Sequence, residues 1–588
     1  MSLVTVLKEK AAAAIEQLYK IPAFADDILV NETKPEFEGN YTLVLFALVK
    51  RLKIAPDKLG NELGTYFITN HPELATHFNV IKGFLNLTIN DTYVAQSLSQ
   101  SAIAPFDETG TKIIVEYSSP NTNKPLHLGH LRNIFLGWSI AQILKETGHE
   151  VFKTCIVNDR GIHICKSMLA WEKFADGATP ESTHTKGDHF VGDYYVRFND
   201  AYKQEVETLM QSGIAKDKAE REAPIMQQTQ QMLVDWEKGK PDVMNLWKRM
   251  NSWVYQGFDE TYKRIGADFD KMYFESETYL LGKKFVEEGL QKGVLYKKED
   301  GSVWIDLTSE GLDEKLVLRR DGTSVYITQD LGLAQEKYED YGYDQSIYVV
   351  GDEQIYHINV LKAILKKLGK PYADGIYHLS YGMVELPSGR MKSREGTVVD
   401  ADDIVDEMVK AAAVKTAEHS DISTFDDGDL KKLYEMIGLG ALKFFLLRVD
   451  PKKKMVFNPE ESIDFHGFTG PFIQYTHARI KSILRKAGAV ESNVAITQPL
   501  LPLEKSLLLL LEKYRDTLQQ AGLEHDPSLL ANYIFNLAKT YNTFYAEHSV
   551  MRAESDEKRA LRLQLCSRTA DTIAHAMSLL GIQVPERM

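Results

Sequence analysis

The segment from Lys112 to Gly148 carries a short apolar run, Ile113-Ile114-Val115, then His127-Leu128-Gly129-His130, then apolar Leu131, Ile134, Phe135, Trp138, Ala141 and Leu144 at spacings of three and four. The spacing predicts a strand, a turn and a helix beginning near Leu131. Unpaired N–H groups and the positive end of the helix dipole attract phosphate at such a turn, in the crevice beyond the carboxyl ends of parallel strands. Gly129 has no side chain, so a flat base or ribose can lie against the backbone. The flanking imidazoles can donate to phosphate oxygens as negative charge builds in a transition state. The layout is that of an ATP-binding α/β site. Histidines around a glycine at a helix start also occur where nothing is bound, so the pair gains meaning only from its surroundings.

Those surroundings are Glu116-Tyr-Ser-Ser-Pro-Asn121 just upstream, Lys124 immediately before the histidines, and Met391-Lys-Ser-Arg-Glu-Gly396 far downstream. Together they resemble the signatures of class I aminoacyl-tRNA synthetases, and among these the arginyl-tRNA synthetase family. The resemblance runs from about residue 110 to the end of the chain. It implies that His127, Gly129 and His130 form the first nucleotide signature, with His357 a further contact near the nucleotide. Met391, Lys392 and Ser393 occupy the second signature, a loop usually written Lys-Met-Ser-Lys-Ser. Ser393 stands where that loop's second lysine aligns, a departure that family members often accompany with a lysine upstream of the first signature, as Lys124 is here. Which of Lys124, Lys392 and Arg394 neutralises the reacting phosphate stays open.

A guanidinium is planar and carries five donors, so a pocket specific for arginine needs fixed carboxylates that accept parallel hydrogen bonds. By resemblance to the family's Tyr-x-x-x-Asp element, Tyr326 and Asp330 bind the guanidinium. Glu116 and Asn121 match positions that hold the α-amino group and nearby polar atoms, and Gln354 in Gly351-Asp-Glu-Gln-Ile-Tyr-His357 matches another pocket contact. Each has a purely structural alternative. Asp330 can cap a helix starting at Leu331, Glu116 can pair with a local cation, and Gln354 can sit in the first turn of its own helix.

The resemblance implies ATP and Mg2+, an arginyl-adenylate intermediate, and transfer of arginine to the terminal ribose 2′-hydroxyl of tRNA(Arg). The chemistry asks for alignment and cationic stabilisation, with no protein nucleophile. A small nucleotidyltransferase shares the histidine turn but has no use for about 180 residues of helical extension. A non-catalytic RNA-binding relative has no reason to keep the turn and Lys124 intact.

The elements that must position these residues alternate from Lys112 to about Gly396. Strand-like runs Val151 to Val157, Ser324 to Thr328 and Ser346 to Val350 are followed by helical runs Gly161 to Phe174, Leu331 to Tyr341 and Gln354 to Leu368. Alternation of this kind predicts a parallel sheet wrapped by helices, so the expected fold is multidomain with a Rossmann-like core. Residues 109–404 form the catalytic unit, broken at about 172–260 by a charged helical insertion including Phe198 to Gln211 and Lys216 to Lys238. Residues 1–108 read as a small α/β accessory unit with paired strands around Phe78 to Val80 and Phe84 to Leu87; its family counterpart meets tRNA. Residues 405–466 read as a helical connector and 467–588 as an all-α bundle resembling the family's anticodon-binding domain. Aromatics there alternate with Asn, Lys and Arg; most are core, and some suit stacking on single-stranded bases.

Composition agrees with that organisation. The 588 residues exceed a single-core domain, and the longest leucine run, Leu507 to Leu511, is too short to span a bilayer, so no membrane partner is expected. The three cysteines offer no disulfide framework or zinc spacing, and no metal ligands are assigned to the chain; a reducing cytoplasm and a monomer are expected. The net charge of −14 opposes phosphate binding. From Gly467 onward, however, Lys and Arg slightly outnumber Asp and Glu, which leaves room for a local basic face.

Overall fold

Five parallel strands carry the site: β1 (Lys112–Glu116), β2 (Glu150–Val157), β3 (Lys271–Phe274), β4 (Gln345–Gly351) and β5 (Ile376–Tyr381). The computed structural model describes residues 2–588 apart from 97, 99–102, 104, 386, 388–398, 420–422, 424 and 489–497. The strand order is β5-β4-β1-β2-β3, with Ile113 opposite Val151 and Ile347 opposite both Val115 and Tyr377. Ile113, Ile114 and Val115 are all buried, because a parallel sheet is covered on both faces. Alternation sends Ile113 and Val115 into the larger core and Ile114 into a second, with Ile327, Leu331, Leu361 and Ile364. The chain leaves β1 toward β2 on one side and reaches β4 on the other, so a crevice opens between β1 and β4 beyond their carboxyl ends.

Four helices flank this sheet: α1 (Leu128–Glu146), α2 (Ile162–Phe174), α3 (Tyr326–Tyr341) and α4 (Ile355–Lys367). Helix α1 starts three residues earlier than its apolar stripe indicates, since His127 caps it. A larger correction concerns Ser324 to Thr328, expected as a strand. Helix α3 already begins at Tyr326, with Val325 at its N-cap. The apolar residues read as strand alternation are the first rung of a helical face, in which Ile327, Leu331 and Ala334 are buried, and so short a run fits either period. An antiparallel three-stranded sheet precedes it, Tyr296–Lys297, Val303–Ile305 and Lys315–Leu318, which the sequence reading did not distinguish.

The insertion comprises Gly187–Gln211, Lys216–Glu222, Pro224–Glu237 and Pro241–Ile265. Lys216 to Lys238 is therefore two helices, because Pro224 has no N–H to continue the first and instead starts the second. After Val405 the described elements are almost all helical, and Pro459, Pro471, Pro502 and Pro527 each stand at a helix start. At the amino end, Ala75–Ile81 and Phe84–Ile89 pair antiparallel in a four-stranded sheet. That unit rests on the carboxyl-terminal helices, where Lys505 Nζ donates to Ile89 O at 2.5 Å and Arg568 Nη2 to Leu98 O at 2.9 Å. No helix among the described residues is long and apolar enough to cross a membrane.

Candidate active site

The two imidazoles are held by backbone amides. His127 Nδ1 accepts from Gly129 N–H at 3.1 Å, and His130 Nδ1 accepts from His127 N–H at 3.1 Å, a reciprocal cap that leaves the rings 3.8 Å apart. A ring nitrogen that accepts carries no proton, so each neutral ring bears its hydrogen on Nε2, free to donate elsewhere. Burial and the neighbouring Lys124 ammonium push His127 down to about 3, and burial chiefly holds His130 well below the usual histidine range. Both are neutral donors at pH 7. Burial lowers Lys124 as well, while its charge is felt by both rings.

The chain that follows the second signature returns to this turn. Leu128 N–H donates to Val399 O at 3.2 Å, Ala401 N–H donates to Leu126 O at 3.0 Å, and His127 pairs antiparallel with Asp400. Met391, Lys392, Ser393 and Arg394 themselves lie outside the described residues. Upstream of them, Val384–Glu385 pairs with Met455–Val456.

Asp330 and His357 meet across the mouth of β4. His357 Nε2 lies 2.5 Å from Asp330 Oδ2, and the carboxylate raises the imidazole above its ordinary range. Asp330 belongs to the second turn of α3, whose N-cap is Val325, so it does not cap a helix starting at Leu331. Tyr326, one turn earlier on the same face, is 76% exposed. Gln354 is exposed in the short 3-10 turn Asp352–Gln354 that ends β4, which places it in the first turn before α4.

Glu116 is buried at the end of β1, where the Lys337 ammonium of α3 pairs with it. The same ammonium lies 4.3 Å from the Tyr348 ring centroid. Glu116 thus has the local cation that its structural alternative required. Asn121 is exposed, pairs in parallel fashion with Asn158, and lines a cavity of about 730 Å³ together with Arg160, Glu275, Tyr326 and Gln329.

Asn133 of α1 links the two neighbourhoods. Its Oδ1 accepts from Ser118 N–H at 2.5 Å just after β1, and its Nδ2 donates to Val349 O of β4 at 2.6 Å. The histidine turn follows β1 and His357 follows β4, so both groups of residues stand at the carboxyl edge of adjacent strands.

Several residues here escaped the sequence reading. Ser118 and Ser119 adopt φ of 76° and 47°, sterically costly for residues with a Cβ, and Ser118 is held there by Asn133 and by Tyr262 OH at 2.7 Å. Glu275 is a carboxylate lining the cavity whose pKa burial raises to about 7. Arg132 is fully buried, and its guanidinium donates to the carbonyls of Gly382, Pro451 and Lys453 at 2.7, 3.1 and 2.9 Å, tying α1 to the connector. Only the unusual run Ser-Ser before a proline hinted at any of them.

In the carboxyl-terminal helices, Tyr533, Tyr541 and Phe544 are core residues. Arg479 instead lies 4.8 Å from the Tyr475 ring and 5.6 Å from that of Tyr545, which is 40% exposed, while its Nη1 donates to Asn542 Oδ1 at 2.6 Å.

A parallel sheet with this order, a histidine-capped helix at its switch point and a helical extension define a class I aminoacyl-tRNA synthetase. Residues 93–458 match the family model of the class I tRNA synthetase (R) catalytic domain, and residues 473–588 match the DALR anticodon binding domain. The chain is 51% identical over 605 residues to the arginine–tRNA ligase of Flavobacterium psychrophilum, covering 100% of both. It is 52% identical over 573 residues to that of Bacteroides thetaiotaomicron, covering 95% of this chain and 96% of the other. The solved Thermus thermophilus arginyl-tRNA synthetase superposes with a TM-score of 0.83 at 26% identity, over 99% of each chain. The chain belongs to the arginyl-tRNA synthetase family.

Proposed function

We propose that this protein joins L-arginine to tRNA(Arg) at the expense of ATP. The arginine carboxylate attacks the α-phosphorus in line and expels pyrophosphate, and the terminal ribose 2′-hydroxyl of the tRNA then attacks the adenylate carbonyl and releases AMP. The observation that carries this reading is the common sheet edge shared by the neutral imidazole pair and the Asp330–His357 pair. In this reading Asp330 and Tyr326 receive the guanidinium, with Glu275 a further carboxylate on the cavity wall. Asn121 and Gln354 hold polar atoms of the substrate, and Glu116 acts through Lys337 by fixing α3. His127 and His130 donate from Nε2 to phosphate oxygens, Gly129 admits the nucleotide, and Lys124 with Lys392 and Arg394 supplies positive charge as it spreads over the phosphate.

Magnesium travels on the triphosphate and supplies further charge neutralisation there. Among the described residues, the cluster with ligand spacing, Asp188, His189 and Asp402, gives it no protein site, because the Lys186 ammonium lies 2.6 Å from Asp402 and 3.3 Å from Asp188. The Tyr475, Arg479 and Tyr545 group suits stacking on an unpaired tRNA base. The protein acts in the cytoplasm and as a monomer; light scattering with and without tRNA tests the oligomeric state. The decisive experiment for the activity is pyrophosphate exchange with each amino acid separately, with and without tRNA. Exchange confined to arginine is expected, and exchange driven by another amino acid ends the specificity claim.

A further inference from the structure

The insertion reaches the histidine turn through a compact charge cluster. Its first helix, Gly187–Gln211, begins beside Asp400 and Asp402, the residues that follow the second signature. Lys186 Nζ donates to Asp402 Oδ2 at 2.6 Å and to Thr261 Oγ1 of the last insertion helix at 2.5 Å. His189 Nε2 lies 3.2 Å from Asp402 Oδ2 and 3.3 Å from Asp400 Oδ2. The two oxygens of Asp400 have separate partners. Oδ1 accepts from Asp402 N–H at 2.7 Å and so caps the helix Ala401–His419, whereas Oδ2 is buried with no hydrogen-bond donor of its own and faces the His189 ring. Asp400 is also the residue whose backbone pairs with His127.

We propose that Lys186 and His189 are positioning residues for activation: by holding Asp400 and Asp402, they fix the strand-like segment that sets the register of His127 and His130 against the nucleotide. The inference rests on the reading of the histidine turn as the nucleotide site. A shift of that segment along Leu126–Leu128 would carry His127 with it, and an imidazole displaced by a fraction of an ångström no longer meets the charge that develops on phosphate.

The arrangement makes the latch depend on pH. The groups facing His189 are Asp400 and Asp402 from the segment after the second signature, and Lys186, Asp188 and Asp193 from its own helix and the residue before it. Its pKa is raised to about 9, above the ordinary 6.5, first by the hydrogen bond its ring donates to Asp402. A raised histidine keeps its favourable pairing below its unfolded value and loses it as pH climbs through about 9. Burial raises Asp400 to about 6, so on the acid side its contact with the ring weakens, while Asp402, held below the ordinary carboxylate range despite its burial by hydrogen bonds from His189 and Lys186, keeps the ring in place. The latch therefore opens on the alkaline side, as pH climbs through about 9.

The test uses the full chain with tRNA and measures aminoacylation against pH, with kcat and the KM for ATP and arginine separated. In His189→Asn the charge is lost while a donor remains; kcat is expected to fall about tenfold or more with the arginine KM unchanged, as for a misplaced catalytic group. The decline of parental kcat near pH 9 should vanish from the variant's profile, and His189→Lys, which restores the charge, should recover much of the rate. A merely structural role would lower the melting midpoint and leave kcat per folded molecule and the alkaline limb as they were; that result overturns the proposal. Lys186→Gln, which removes the cluster's ammonium, gives a second reading of kcat on the same scale, and parental kcat in both variants also overturns it. Parental kcat in His127→Asn would instead count against the histidine turn as the nucleotide site, which separates that failure from failure of the latch.

Discussion

Asp330 and His357 stand with Oδ2 and Nε2 2.5 Å apart, so before arginine arrives its proposed carboxylate already has an imidazole partner. The carboxylate raises His357 above its ordinary range. An incoming guanidinium takes that carboxylate and sets a positive charge beside the ring, so the imidazole's pKa falls. Arginine binding should therefore release protons across the range in which the paired ring is protonated. Calorimetry in buffers of different ionisation heat measures this, and a binding enthalpy independent of buffer would contradict the displacement.

Substitution of the carboxylate separates recognition from folding. Because Val325 and not Asp330 stands at the cap of α3, Asp330→Asn removes no cap. The melting midpoint is expected to stay close to the parent's. The KM for arginine should rise by about 100-fold or more, since a site built for a charged, hydrogen-bonded group loses its partner. An unchanged KM would return Asp330 to a structural role.

His127 has two tasks that one substitution can divide. Asparagine keeps an acceptor for the Gly129 amide but has no Nε2–H group. His127→Asn should fold with stability close to the parent's, whereas His127→Ala should lose about 1 kcal/mol with the cap. Both should lower kcat by about 10²–10³, the usual effect of removing one donor to a charged transition state. Burial and Lys124 depress His127 to about 3, so its neutral form supports stability above the unfolded value of 6.5, and that support is lost as pH falls toward 3. Acid unfolding followed by circular dichroism should accordingly be less steep in His127→Asn; parental kcat in that variant would remove His127 from catalysis.

Lys337→Met strands the buried Glu116 carboxylate without its cation. Breaking one side of a buried pair typically costs about 3–5 kcal/mol, and replacing both partners is often nearly neutral. The single variant should melt well below the parent, and Lys337→Met with Glu116→Gln should recover most of the loss. If the single variant melts with the parent, the pair contributes nothing to holding α3 against β1.

Local pattern carried a large share of this protein's description. The apolar triplet of β1, the helical spacing after Leu131 and the alternation of strands with helices depend on neighbours a few residues apart, and they foretold the parallel sheet and the crevice. The histidine turn was legible for the same reason, since its caps are made within three residues. Ser324 to Thr328 misled because a five-residue apolar pattern satisfies both periods, and only packing of Ile327 and Leu331 against the sheet selects the helix. Partnership across the chain was decided by tertiary structure alone. Glu116 with Lys337, Asp330 with His357, and Asp400 with His189 are pairs whose members are individually ordinary charged residues. Their meaning comes from which of them burial brings together, and an ion pair between distant segments leaves no periodic trace in the segments that form it.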